Sequence, residues 1–152
     1  MTDNAFVRAL GELSGAGQEG VALRASGEGE THVIVAGVPI TMVCREDDPD
    51  TVITVARVGS TKGLLHPELP LEDALEANFL WMGNAGSTLS LDPENGDLVL
   101  HDRRDAVYFE SADVLKGYLA AFADTVIGWQ GHFDRFRGTV TGENGAGKEV
   151  AS

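Results

Sequence analysis

Residues 142–148 read Gly-Glu-Asn-Gly-Ala-Gly-Lys and match the first seven positions of a phosphate-binding loop, G-x-x-x-x-G-K. In such a loop backbone N–H groups cradle phosphates and the lysine reaches the outer ones. The eighth position must be Ser or Thr to hold Mg²⁺, and here it is Glu149, a charge of the same sign as the phosphates. The loop must also open a helix, yet only four residues follow Lys148. The match is therefore read as part of a glycine-rich tail.

Other reactive side chains are equally scattered. His32, His66, His101 and His132 fall on four different predicted elements, with no i, i+4 pair and no cysteine beside them. Asp47, Asp48 and Asp50 have the chemistry to hold a hard cation, but neither they nor Asp92 sit in a twelve-residue calcium loop. Cys44 stands beside Arg45, which would tune a thiol; following Val43 on a strand, it reads instead as a small buried hydrophobe. No G-x-S-x-G elbow presents a nucleophile. Trp81 and Trp129 read as core or interface anchors. The sequence thus assigns no catalytic residue, no metal site and no cofactor, and points away from an enzyme. A small enzyme whose site is assembled in three dimensions from these histidines and carboxylates is the rival, and metal analysis separates the two.

The chain has 152 residues and a formal charge of −13. That length suits one domain with a real core. The charge argues against a nucleic-acid or anionic-membrane partner and favours encounter with basic segments. A single cysteine precludes an internal disulfide and fits a reducing, cytoplasmic setting. The start, M-T-D-N-A-F, has neither a basic region nor an apolar run of signal-peptide type. No stretch approaches the ~20 apolar residues of a membrane span.

The elements that must position these residues follow from spacing. Asp3 or Asn4 caps a first helix with Phe6, Leu10 and Leu13 along its apolar line, stopped by Gly15 and Gly17. Residues 15–30 form a glycine-rich connection in which Val21, Ala22 and Leu23 are able to pair briefly. Strands are predicted at 32–36, 38–45 and 51–58, with residues 46–50 an acidic turn and 59–68 a loop. In the third strand Val52 and Val58 face one side and Ile53 and Val55 the other, so both faces should be covered.

A second helix is predicted from Pro70, at its first position, to Met82, with Leu71, Ala74, Leu75, Asn78, Phe79 and Met82 as its apolar stripe and Gly83 and Gly86 as its stop. A hairpin follows, turned at residues 93–96. Ser111 caps a last helix whose face is Leu115, Tyr118, Leu119, Phe122, Val126, Trp129 and Phe133, with fraying expected after Gly131. The order is α-β-β-β-α-β-β-α, an α+β fold with helices packed on a curved antiparallel sheet. Residues 1–138 are taken as the domain and 139–152 as a disordered glycine-rich tail.

The run A-L-E-A-N-F-L-W-M-G-N-A-G-S-T-L-S-L-D-P-E-N-G-D-L-V-L-H, together with the element order and the acidic character, closely resembles class I type III secretion chaperones of the Tir-chaperone-like family. Leu75, Ala77, Asn78, Gly86, Thr88, Leu89, Leu91, Asp92, Gly96, Leu98, Leu100 and Trp129 occupy the family's pattern, and the resemblance spans roughly residues 3–133. The long 59–70 connection and the tail depart from it. The resemblance implies a homodimer that holds the N-terminal, non-globular segment of a secreted effector and keeps it secretion-competent. A fold relative serving as a bacterial regulatory or sensory domain is the alternative. Candidate effector-binding residues are Phe6, Leu10, Val33, Val35 and Leu98, with Phe6 expected on an exposed patch. Candidate dimer-interface residues are Val52, Phe79, Leu80, Trp81 and Met82.

Overall fold

The structure, a computed structural model, describes residues 4–16, 21–25 and 29–141. Its elements are α1 (Ala5–Ala16), β1 (Val21–Ala25), β2 (Glu30–Val35), β3 (Val38–Arg45), β4 (Asp48–Ser60), α2 (Glu68–Asn78), β5 (Thr88–Leu91), β6 (Asp97–Asp105) and α3 (Ala112–Thr141). Short 3₁₀ turns lie at Phe79–Trp81 and Ala106–Tyr108. The fold is α+β, with six strands in the order β1-β2-β3-β4-β6-β5. Strands β1 to β4 pair antiparallel in succession.

The chain divides into two compact units, Met1–Ala56 with His101–Thr125, and Arg57–Leu100 with Val126–Ser152. Strands β4 and β6 and helix α3 each contribute to both.

In the first unit, Asn4 Oδ1 accepts the Val7 N–H at 2.8 Å while its Nδ2 donates to the Pro49 carbonyl at 2.7 Å. One side chain therefore caps α1 and ties it to the start of β4. Along β2, Thr31, Val33 and Val35 are buried and alternate with exposed neighbours, as one covered face requires. Val35 pairs with Val38 across a two-residue turn in which Ala36 and Gly37 have φ of 51° and 80°. Both positive values identify the turn that matches the natural twist of a hairpin. Ser111 Oγ accepts the Val114 N–H at 3.2 Å and caps α3.

Three boundaries differ from the sequence reading. Residues 21–25 form a full strand, not a brief pairing, because all five pair with residues 31–35 of β2. The acidic turn shrinks to Glu46–Asp47: Asp48 already pairs with Arg45, and the Pro49 carbonyl is held by Asn4. Helix α3 continues beyond the expected fraying point to Thr141, so residues 139–141 extend it. Residues 142–152, with the G-x-x-x-x-G-K run, lie outside the described residues.

Ala36 is an L-residue in a left-handed position, which costs it about 1 kcal/mol that asparagine or glycine largely avoids. Ala36→Asn should therefore raise the stability by about 0.5–1 kcal/mol in urea unfolding, with no change in far-UV circular dichroism.

Candidate functional site

Helix α2 packs in an unusual sense. Its buried residues are the small Pro70 and Ala74, while Leu75 is 72% exposed. Pro70 is the third helical residue, not the first, and still lies in the turn where no intrahelical N–H is needed. The side chain of Asp73 meets His132 of α3 at 2.8 Å, and the His132 ring stands edge-on to Trp129 and Phe136.

The helix also stops four residues before the predicted end. Asn78 is its last residue, and Leu80 and Trp81 both have φ of 55°. Two contacts enforce the stop. Asn78 commits its side-chain amide to the backbone of Leu89, at 2.9 Å in each direction. The Gly83 N–H returns to the Ala77 carbonyl at 3.1 Å. A methyl group on Gly83 would lie 2.8 Å from the Ala77 Cβ, so only glycine permits this approach.

The result is a turn that presents large apolar side chains outward. Phe79 is 70% exposed and Met82 79%, with Leu80 and Trp81 exposed between them. Trp81 Nε1 donates to Thr88 Oγ1 at 3.3 Å, which orients the ring without covering it. Leu65, Leu69 and Leu91 of the same unit are exposed as well. Four consecutive exposed hydrophobes on an otherwise acidic chain form an apolar patch of the kind found at interaction surfaces.

The other candidates fall differently. Phe6, Val33, Val35 and Leu98 are buried, and Leu10 is half-buried. Phe6 packs against Phe109 with ring centroids 5.4 Å apart, so the exposed patch expected around it does not exist. These residues support the core of their own chain. Val52 is fully buried too and is unavailable to a second copy, unlike Phe79, Leu80, Trp81 and Met82. Sequence reasoning missed the exposure of Leu75, because periodicity identifies an apolar face without saying what covers it. The signal was present in Pro70, Ala74 and Ala77: small residues let a helix approach its support closely.

The polar candidates are occupied locally. Asp47 receives Arg45 Nε at 2.8 Å, and this hydrogen bond holds its carboxyl below the usual range. Cys44 is half-buried, with Sγ 3.5 Å from both Asn4 Nδ2 and the Pro49 carbonyl. His66 meets Glu68 at 3.2 Å, and His32 contacts Thr41 and Glu30. Among the described residues no three His, Cys, Asp or Glu side chains gather as metal ligands. In the first unit, Asp102 accepts Tyr118 Oη at 2.8 Å and Arg104 Nε at 3.0 Å. The Arg104 guanidinium lies 4.7 Å from the Tyr108 ring centre. Burial above all pushes the Tyr118 phenol well up, so it stays neutral and serves as a donor.

Residues 16–130 match the family described as the Tir chaperone protein (CesT) family. The chain belongs to that family. Solved structures with the same fold agree. A chain from the ExsC–ExsE complex superposes with a TM-score of 0.66 at 20% identity, covering 86% of this chain and 95% of that one. One from the HopA1–SchA chaperone–effector complex gives 0.61 at 20% identity, covering 86% and 99%. The Yersinia pestis type III secretion chaperone SycH complex with a YscM2 fragment gives 0.56 at 14% identity, covering 82% and 98%. Comparison with curated protein sequences returns no match. Ala77, Asn78 and Leu89, residues on which the sequence resemblance rested, shape the apolar turn of this chain.

Because Phe6 is buried against Phe109, Phe6→Asp should unfold the protein, not merely weaken a contact. Loss of the ring and burial of a charge together cost about 4 kcal/mol or more. Loss of the cooperative thermal transition is the expected result.

Proposed function

We propose that this chain is a type III secretion chaperone that acts as a homodimer, binds the N-terminal non-globular segment of a cognate effector, and performs no catalysis. Family membership supports the chaperone reading, and the observation that carries the assembly is the exposed run Phe79–Met82. Each such side chain contributes about 1.5–3 kcal/mol when fully buried. With the run of both copies buried, eight side chains supply at most roughly 12–24 kcal/mol, against an association cost of about 4–15 kcal/mol. The run is therefore large enough to hold two copies together. Two copies would carry a charge of −26, so the contact must be apolar to overcome repulsion.

The effector segment would be held by mass action, its extended state favoured by whatever free energy binding supplies. The backbone of β1, at one edge of the sheet, offers a template for strand addition. Ile34 of β2 and Ile53 of β4 remain exposed on their strands and are the apolar anchors this reading selects in place of the buried candidates. The negative surface would speed encounter with basic segments. Nucleic acid and anionic membrane are not expected partners, and no described helix is long and apolar enough to cross a bilayer. The half-buried thiol of Cys44 suits a reducing cytoplasm.

Light scattering at micromolar concentration should report a dimer that high salt does not dissociate. Trp81→Asp combined with Met82→Asp should yield a folded monomer, since both side chains are exposed. A monomeric parent protein would remove the dimer reading.

Client binding is tested by titrating a peptide from the effector's N-terminal segment against a scrambled peptide of equal composition. Ile34→Asp should weaken binding of the first about tenfold while leaving the dimer intact, the loss expected for one apolar anchor. Equal binding of the two peptides would exclude a chaperone of this class.

A further inference from the structure

The side chain of Asn78 makes three hydrogen bonds. Its Nδ2 donates to the Leu89 carbonyl at 2.9 Å, and its Oδ1 accepts the Leu89 N–H at 2.9 Å and Asn84 Nδ2 at 2.7 Å. The first two close a ring of the kind that paired residues form between antiparallel strands. The amide stands in for one residue of a neighbouring strand on β5. Only one orientation of the amide satisfies both Leu89 groups. Asn84 is itself 1% exposed, so the third bond is made inside the protein.

The pairing fixes the two ends of residues 79–88, the segment that carries the exposed Phe79, Leu80, Trp81 and Met82. Within it Leu80, Trp81 and Ala85 have φ of 55°, 55° and 56°. Non-glycine residues hold such conformations only where their surroundings over-determine them. The helix would otherwise continue, since nothing in Phe79 to Met82 opposes helix formation. Continued helix would turn these four side chains around the axis instead of presenting them from one turn.

We infer that Asn78 is the positioning residue of the apolar turn: its amide pairing with Leu89 sets the conformation in which residues 79–82 are offered for self-association. This rests on the dimer reading above. Neighbouring chemistries fail for definite reasons. Aspartate accepts from the Leu89 N–H but has no donor for the carbonyl while ionised. Leucine has a similar shape and leaves both backbone groups without a partner.

The test uses full-length parent protein, Asn78→Leu and Asn78→Asp, compared by sedimentation equilibrium and by amide hydrogen exchange. Asn78→Leu should weaken self-association about tenfold or more. It should also speed exchange of the Leu89 amide and of residues 79–88, while amides of α3 and the far-UV spectrum hold. Asn78→Asp should behave like the leucine variant at about pH 8. Towards about pH 4, where an aspartate carboxyl takes up its proton and regains a donor, association should recover relative to the parent measured at the same pH. Unchanged association and unchanged Leu89 exchange in Asn78→Leu would overturn the proposal. If the parent is a monomer, the dimer reading fails and the exchange comparison alone decides the role of Asn78. If Asn78→Leu does not fold, the pH response of Asn78→Asp decides, and its absence overturns the proposal.

Discussion

Leu89 is the first buried residue of β5, and its backbone N–H and C=O need partners once the strand is covered. Strand β5 ends the sheet order, with β6 as its one neighbour. The groups of Leu89 are taken up by the amide of Asn78. A single side chain therefore blunts a sheet edge, ends a helix and fixes the start of the following strand. Edges left open invite unwanted pairing, and a pairing amide is an economical guard. The presentation of the apolar turn follows from that requirement.

Helix α2 obeys a related constraint. Pro70 and Ala74 are buried and Gly83 closes on Ala77, so the helix gains proximity by having little volume on its inner side. Its large apolar residues must then face outward. In a protein that functioned alone this would be a liability, with Leu75, Phe79 and Met82 in water. In a family of chaperones it is consistent with a helix that another chain completes.

Polar side chains tie the elements of the scaffold together. Asn4 joins α1 to β4, Glu12 accepts the Ala112 N–H at the start of α3, and Asp102 gathers Tyr118 and Arg104. Asp73 and His132 tie α2 to the later part of α3. Among the side chains that the sequence singled out for their chemistry, His32, His66, His132, Cys44 and Asp47 are engaged in such contacts. Cys44 and Asp47, for example, are engaged with residues within five positions along the chain.

The α+β order, the Ser111 cap, the hairpin turned at residues 93–96 and the family itself were legible in the sequence, because each depends on local spacing or a short motif. Val52 and Val58 were read as sharing a face because strand alternation has a period of two. Tertiary structure decided which apolar residues are inside. Phe6 and Leu98 are as hydrophobic as Phe79 and Trp81, and periodicity cannot say that the first pair is buried and the second exposed. It also decided where α2 stops. The helix propensity of Phe79 to Met82 is local, whereas the amide that interrupts it reaches a backbone eleven residues away. A contact of that range, favoured only once β5 is in place, leaves no period in the sequence to be read.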